Sequence, residues 1–245
     1  MNFKIAVKAM ALLSIIFLGC GDDEKKNNTL PPPPVVSASW SENFTDVANL
    51  GRRGWIIVNN TDRPGPEAWR RGRYETTNKF TTGTDYVVGF PAYAAERSQT
   101  DFVSVDMYAG SLVANMSVWL ITPITKMKNG DQFIFYTRAH TDDGTGSIKD
   151  GSNRMQVRAN YQNTSADVGN NWQTVGGFTT VLADINAALT FDGYPETWTR
   201  YVITLSGISG TINGRLAFRY FVPQGGPDGN NASLIGVDEV SFVSK

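Results

Sequence analysis

Between residues 153 and 161 the chain reads NRMQVRANY, and apolar and polar side chains take turns. Met155, Val157, Ala159 and Tyr161 fall on one side, Arg154, Gln156, Arg158 and Asn160 on the other. A period of two marks a strand with one face buried. GRLAFRYFV repeats the pattern, with Leu216, Phe218, Tyr220 and Val222 on the expected core face. DFVSVDMY, SVWLITPI, DQFIFYTRA, TRYVITLSG and LIGVDEVSFV read as strands bounded by Gly, Asn, Asp or Pro, and GWIIVNN and DYVVGF add two shorter ones. Only VLADINAAL, 181–189, carries a helical pattern. Roughly ten strands, no heptads, no fixed repeat and no alternation with helices predict an all-β fold of two packed antiparallel sheets with at most one short helix.

The first residues follow different rules. Lys4 and Lys8 precede an uncharged apolar stretch at 9–18. A membrane-crossing helix needs about 20 apolar residues, so the layout is that of a secretory signal over 1–19. The stretch ends at Gly19 and Cys20, and Cys20 is the only cysteine. Gly-Cys at this place resembles the processing site of bacterial lipoproteins, which implies acylation of Cys20; the alternative is an unpaired thiol in a cleaved tail. Asp22, Asp23 and Glu24 follow, and acids there resemble the signal that sends Bacteroidetes lipoproteins to the outer face of the outer membrane. Residues 20–36, acidic and then rich in proline, read as an extended tether, which leaves 37–245 as a single domain. Lipid anchoring makes the membrane the first expected partner. With no second cysteine there is no disulfide within the chain, so an exported domain here is stabilised by its core alone.

Charge narrows the partners further. Of 22 basic residues, Lys4 and Lys8 leave with the signal, so 20 remain against 23 acids, a net charge of −3. Nucleic acid requires a basic footprint and is excluded as a partner. The 24 glycines and 11 prolines suit short strands joined by turns.

Further motifs run along the domain: SENF at 41–44, GW at 54–55, SVWLITP at 117–123 before the aromatic strand DQFIFYTRA, then RMQVRA, WTRYVITLSG, GRLAFRYF and a terminal IGVDEVSF. In this order they resemble the choice-of-anchor J domains, relatives of MAM-type and cleaved-adhesin domains. The resemblance implies a jelly-roll sandwich whose first and last strands lie close together, serving as a binding or adhesion module. That closure would bring Glu42 and Asp46 near Asp238 and Glu239, where hard carboxylate oxygens suit a structural calcium. A second oxygen-rich loop holds Asp142, Asp143, Asp150 and Asn153. For both sets the bland alternative is solvated turn acids.

Reactive side chains are scarce. His140 is the only histidine, which excludes two-histidine zinc motifs, and its setting in RAHTDDG reads as a surface turn. No serine sits in a Gly-x-Ser-x-Gly elbow, and GTGSIKDG has neither the context nor the ending of a phosphate loop. No catalytic residue is assigned. A glycosidase needs only two carboxylates, and nothing in the sequence selects a pair among 23 acids.

Sugar binding needs exposed aromatic faces beside polar groups. Trp69, in the polar stretch PEAWRRGRY, and Trp172, in GNNWQT, are the candidate ligand-binding rings; Trp55, Trp119 and Trp198 read as core. Arg154 and Arg158, with Gln156, Arg138 and Arg219, either line a groove or form the wet side of a sheet. The leading expectation is a non-catalytic surface lipoprotein that binds a glycan or another surface ligand. The alternatives are a structural or adhesive protein-binding module of an outer-membrane assembly and a carboxylate-dependent glycoside hydrolase.

Overall fold

Two long strands organise the sandwich, one in each sheet, because their alternating apolar residues need a partner layer. A computed structural model describes residues 38–78, 85–141 and 151–245. Cys20, the acids behind it, the proline tether and Asp142, Asp143 and Asp150 lie outside the described residues. In chain order the strands are β1 (Trp40–Glu42), β2 (Ile56–Asn59), β3 (Arg70–Arg71), β4 (Tyr74–Asn78), β5 (Asp85–Gly89), β6 (Val103–Asp106) and β7 (Ala114–Ile121). They continue as β8 (Thr125–Lys128), β9 (Gln132–Ala139), β10 (Met155–Asn160), β11 (Thr180–Ile185), β12 (Thr199–Thr204), β13 (Thr211–Gly225) and β14 (Leu234–Val243).

The first sheet has the order β12-β9-β14-β6-β3, with β1 also paired to β14. The second has the order β11-β10-β13-β7-β2, with β8 paired to the start of β13. β4 and β5 form a separate two-stranded hairpin. Every pairing is antiparallel. The fold is an all-β, two-sheet jelly-roll sandwich, and β1 runs beside β14, so first and last strands do meet.

The alternation read from the sequence sets the core. Met155, Val157 and Ala159 of β10 and Leu216, Phe218, Tyr220 and Val222 of β13 point into the space between the sheets. Phe133 and Phe135 of β9 meet them from the other layer, with ring centroids 5.4 and 5.0 Å from Phe218. Burying a phenyl ring in such a ladder is worth several kcal/mol, and its truncation to Ala costs about 3–5 kcal/mol.

The helix expected over 181–189 is not there. Thr180–Ile185 is strand β11, paired with β10 from Met155↔Ile185 to Ala159↔Thr180. The open hydrogen bonds of β10 outweigh the local preference, and a turn with Asn186 and Leu189 at positive φ ends the strand. Among the described residues, helical structure is confined to three 3-10 segments: Val47–Arg53, Met107–Ala109 and Phe191–Gly193.

Neither sheet leaves its outer face fully wet. Residues 161–179 lie over the second sheet, where Val168 and Phe178 pack on Trp119, Ile121 and Ala217. Residues 90–101 lie over the first, where Phe90 packs with Phe102, Leu234 and the half-buried Trp198. That second cap sits so flat that a Cβ on Gly236 of β14 would come within 2.8 Å of Phe90 and 2.9 Å of Phe102. Only glycine fits beneath it.

Candidate functional site

The acids expected to gather around calcium are held by other partners. Glu42 accepts Arg53 Nε at 2.8 Å through Oε2 and Arg53 Nη2 at 3.1 Å through Oε1. Asp46 lies 3.8 Å from Arg53 Nη1, so one guanidinium sits between the two carboxylates in a cleft of about 250 Å³. Asp238 lies on the outer face of the first sheet, because Ile235 and Val237 on either side of Gly236 face the core; a bulge at Glu239, whose φ is 47°, then returns Val240 inward. Asp238 Oδ2 accepts the amides of Tyr93 and Ala94, and its Oδ1 that of Glu239. Burial is the main cause that pushes the Asp238 carboxyl up to about 7, against the lowering effect of those amides. Among the described residues no three His, Cys, Asp or Glu side chains come close enough to hold a metal. Asn153 is buried and bonded to Tyr220 and Ser233, which takes it out of any loop site.

Trp69 is not an exposed platform. The ring is 3 % exposed, belongs to the main core, and its Nε1 donates to the Val118 carbonyl at 3.0 Å. The polar residues beside it find acid partners, Arg70 with Asp106 at the end of β6 and Arg71 with Asp101 just before it, while the indole turns in.

Arg154, Arg158 and Trp172, by contrast, come together on the outer face of the second sheet. β10 and β13 place Arg154, Gln156 and Arg158 beside Arg215, Arg219 and Phe221, because Gln156 pairs with Arg219 and Arg158 with Ala217. The groove expected between these arginines is filled by the chain itself. Arg158 Nη1 donates to Phe178 O at 3.0 Å and Arg215 Nε to Thr164 O at 2.8 Å. Arg219 reaches the carbonyls of Trp172 and Thr174, Ser117 Oγ at 2.9 Å and Gln156 Oε1 at 3.3 Å. Its guanidinium is 1 % exposed and stacks on the rings of Phe221 and Trp119, at 3.8 and 4.9 Å. The face is therefore neither an open groove nor wet; donors that lack acid partners use loop carbonyls instead.

At the cap's edge three side chains meet around Phe221. Trp172 stacks on that ring at 5.7 Å and 28°, and the Arg154 guanidinium lies over it at 5.1 Å. Both rings are only partly buried. Arg154 is fixed by two bonds to Asp184, from Nε at 2.8 Å and Nη2 at 2.6 Å, and Gln156 adds a third at 2.9 Å. Burial works to raise the Asp184 carboxyl, but bonds from Arg154 and Gln156 and the charges of Arg154 and Arg158 bring it below the usual range. Arg219 is pushed down to about 9, first by burial and then by the like charges of Arg158 and Arg154, and stays protonated at neutral pH. The result is a rigid platform: two stacked rings, an amide and oriented guanidiniums, a chemistry that can hold a planar or hydroxylated ligand.

Phe221 and Asp184 were not among the sequence-derived candidates. The alternation that placed Phe218 and Tyr220 inside leaves Arg219 and Phe221 outside, and an outward Phe beside an outward Arg was the available signal. Asp184 was hidden by the helical reading of its segment.

A second opening, about 320 Å³, lies on the other sheet and is lined by Tyr74, Gly89, Phe90, Pro91, Arg138, His140 and Thr141. Arg138 stacks on Phe90 at 4.5 Å and bonds to Ala139 O and Thr141. His140 is buried, not a surface turn residue.

No protein-family profile matches the chain, and no curated protein matches it. Among solved structures, the K1 cleaved adhesin domain of Lys-gingipain from Porphyromonas gingivalis is similar at 17 % identity and a TM-score of 0.47, over 85 % of this chain and 99 % of that one. The K3 domain of the same protein gives 17 % and 0.48, over 84 % and 98 %. A family 11 carbohydrate-binding module from Clostridium thermocellum, solved with a mixed-linked tetrasaccharide, gives 13 % and 0.37, over 84 % and 95 %. The likeness is one of architecture. No ligand follows from it, and the case for binding rests on this chain's own surface.

Proposed function

We propose that this chain is a non-catalytic, surface-displayed binding module of choice-of-anchor J type that holds a glycan on the Trp172–Phe221–Arg154 platform. The observation that carries the reading is the stack of partly exposed Trp172 on Phe221 beside the fixed Arg154, Asp184 and Gln156. Sugars offer flat apolar faces ringed by hydroxyls, and such a platform supplies rings for the one and hydrogen-bonding groups for the other. The reading without catalysis is supported by Arg53, whose guanidinium lies between Glu42 and Asp46 and occupies that carboxylate pair.

Acylated Cys20 would moor the domain in the outer membrane, facing the exterior. The layout suits that display. Ala38, Ser244 and Thr211 line one cavity at the end of the sandwich where the tether would join. Phe221 lies ten residues further along β13, about 30 Å away at strand spacing. Affinity electrophoresis against immobilised polysaccharides tests the reading: at least one polymer retards the protein, and Trp172→Ala abolishes the retardation while Tyr108→Ala leaves it intact. Retardation by none, or equal retardation of the Trp172 variant, rejects it.

The protein-binding alternative has its own observation. Tyr108, Leu112 and Val113, at the β6–β7 connection, are 46, 60 and 45 % exposed. If Leu112→Asp stops capture of outer-membrane proteins and Trp172→Ala does not, the adhesive reading replaces the glycan one.

A further inference from the structure

We propose that the saccharide held at this platform is acidic, carrying carboxylate or sulfate groups. The inference rests on the platform reading and deepens it. Three guanidiniums, Arg154, Arg158 and Arg219, surround one carboxylate, Asp184, so the patch keeps two positive charges in a chain whose overall net charge is −1. The charges that act on Arg219 are those of Arg158, Arg154 and Asp184, and the other acids of that flank lie outside this set. Asp62 is exposed and committed to the amide and side chain of Asn115, and Asp167 lies in the cap with its carboxylate on Gly169 N.

Donor geometry agrees with the charge. Arg154 binds Asp184 through Nε and Nη2, and Arg158 binds Gln156 and Phe178 through Nε and Nη1. Among the described residues, Arg154 Nη1 and Arg158 Nη2 have no hydrogen-bond partner, and neither atom is among the enclosed unsatisfied ones. Two guanidinium N–H edges on one sheet face, already held still by their other bonds, form a preorganised receiver for an oxyanion. The partly exposed ring of Trp172, backed by Phe221, lies alongside to take the ring that carries it. Burial does most to lower Arg219, and the like charges of Arg158 and Arg154 add to it; a bound anion relieves that second part. A neutral sugar satisfies the rings and leaves the excess charge as it was.

The test uses polygalacturonate as the carboxylate probe, dextran sulfate as the sulfate probe, and dextran and laminarin as neutral controls, each in affinity electrophoresis and calorimetry with the whole domain. The expected result is binding to an acidic probe, weakened about tenfold or more by Arg158→Gln and abolished by Trp172→Ala. Raising salt from 0.1 to 1 M, which cuts the Debye length from about 10 to about 3 Å, weakens it in the unaltered protein. That arm keeps the test decisive should the Arg158 variant fail to fold. Binding to polygalacturonate alone assigns a carboxylate, to dextran sulfate alone a sulfate, and to both the shared oxyanion chemistry. Trp172-dependent binding to neutral polymers with none to the acidic ones overturns this inference and leaves the platform reading standing. Acidic-polymer binding that ignores both substitutions is non-specific and overturns the inference. Absence of binding to all four rejects it together with the glycan reading.

Discussion

The two outer faces of the sandwich are covered by the same device with opposite polarity. On the second sheet the sheet supplies cations and the cap supplies carbonyls: Arg158, Arg215 and Arg219 donate to Phe178, Thr164, Trp172 and Thr174. On the first sheet the sheet supplies a carboxylate and the cap supplies amides, as Asp238 receives Tyr93 N and Ala94 N. Asp101, inside the cap's own end, takes Arg97 N and Ser98 N in the same way. A guanidinium stays charged throughout the physiological range, but a buried carboxylate need not. One cap is therefore indifferent to pH and the other is sensitive to it. The excess positive charge left by the first arrangement is also what the proposed acidic ligand would meet at its exposed edge.

The largest expected effect tests that difference in pH response. The Asp238 carboxyl is fully buried and raised from 3.8 to about 7. A raised carboxyl favours the folded state while protonated, so this contribution is complete below pH 3.8 and is lost as pH rises through 7. The shift of roughly three units corresponds to stability on the order of 4 kcal/mol lost between about pH 4 and pH 8. Urea unfolding across that range should show the slope, and Asp238→Asn should flatten it and be no less stable than the natural protein at pH 8. Amide exchange at Tyr93 and Ala94 should quicken on the same pH scale, with none of this at Trp172 or Thr174.

Next in size is the arginine clamp. Arg219→Ala strands the carbonyls of Trp172 and Thr174 and opens a gap between Trp119 and Phe221, so we expect a loss of about 3 kcal/mol in urea unfolding. Residues 161–179 should then be cut by protease while residues 90–101 stay protected. Trp172→Ala comes third: its ring is partly exposed, so stability should fall by only about 1 kcal/mol, yet polysaccharide retention should vanish. Smallest is the response to chelation. With Arg53 between Glu42 and Asp46, EDTA should leave the thermal midpoint unchanged, whereas a drop reversed by calcium would restore a metal to that end of the domain.

How much was legible in the chain follows from which contacts are local. Period two in NRMQVRANY and GRLAFRYFV was enough to sort Met155, Val157, Phe218 and Tyr220 inward and the arginines outward, since alternation reports the pleat of a single strand. It failed at 181–189, where pairing with β10, distant in sequence, overrode local preference. It failed again at Trp69, whose indole is buried in the core while the arginines beside it in the short strand β3 pair with Asp106 and Asp101. Neither cap was readable, because nothing in residues 161–179 announces which sheet they cover. Arg154, Arg158 and Trp172 were candidates on character alone; Phe221, the ring that joins Trp172 to Arg154, comes from a partner strand some sixty residues away along the chain.

The most direct test of the platform is to follow the Trp172 indole N–H and the Arg154 and Arg158 side-chain N–H signals by NMR while an acidic oligosaccharide is added. Saturable shifts at Trp172 and the two arginines, with the Tyr74–Arg138–His140 opening silent, are the result expected. Shifts confined to that opening, or no shift in either place, would contradict the account.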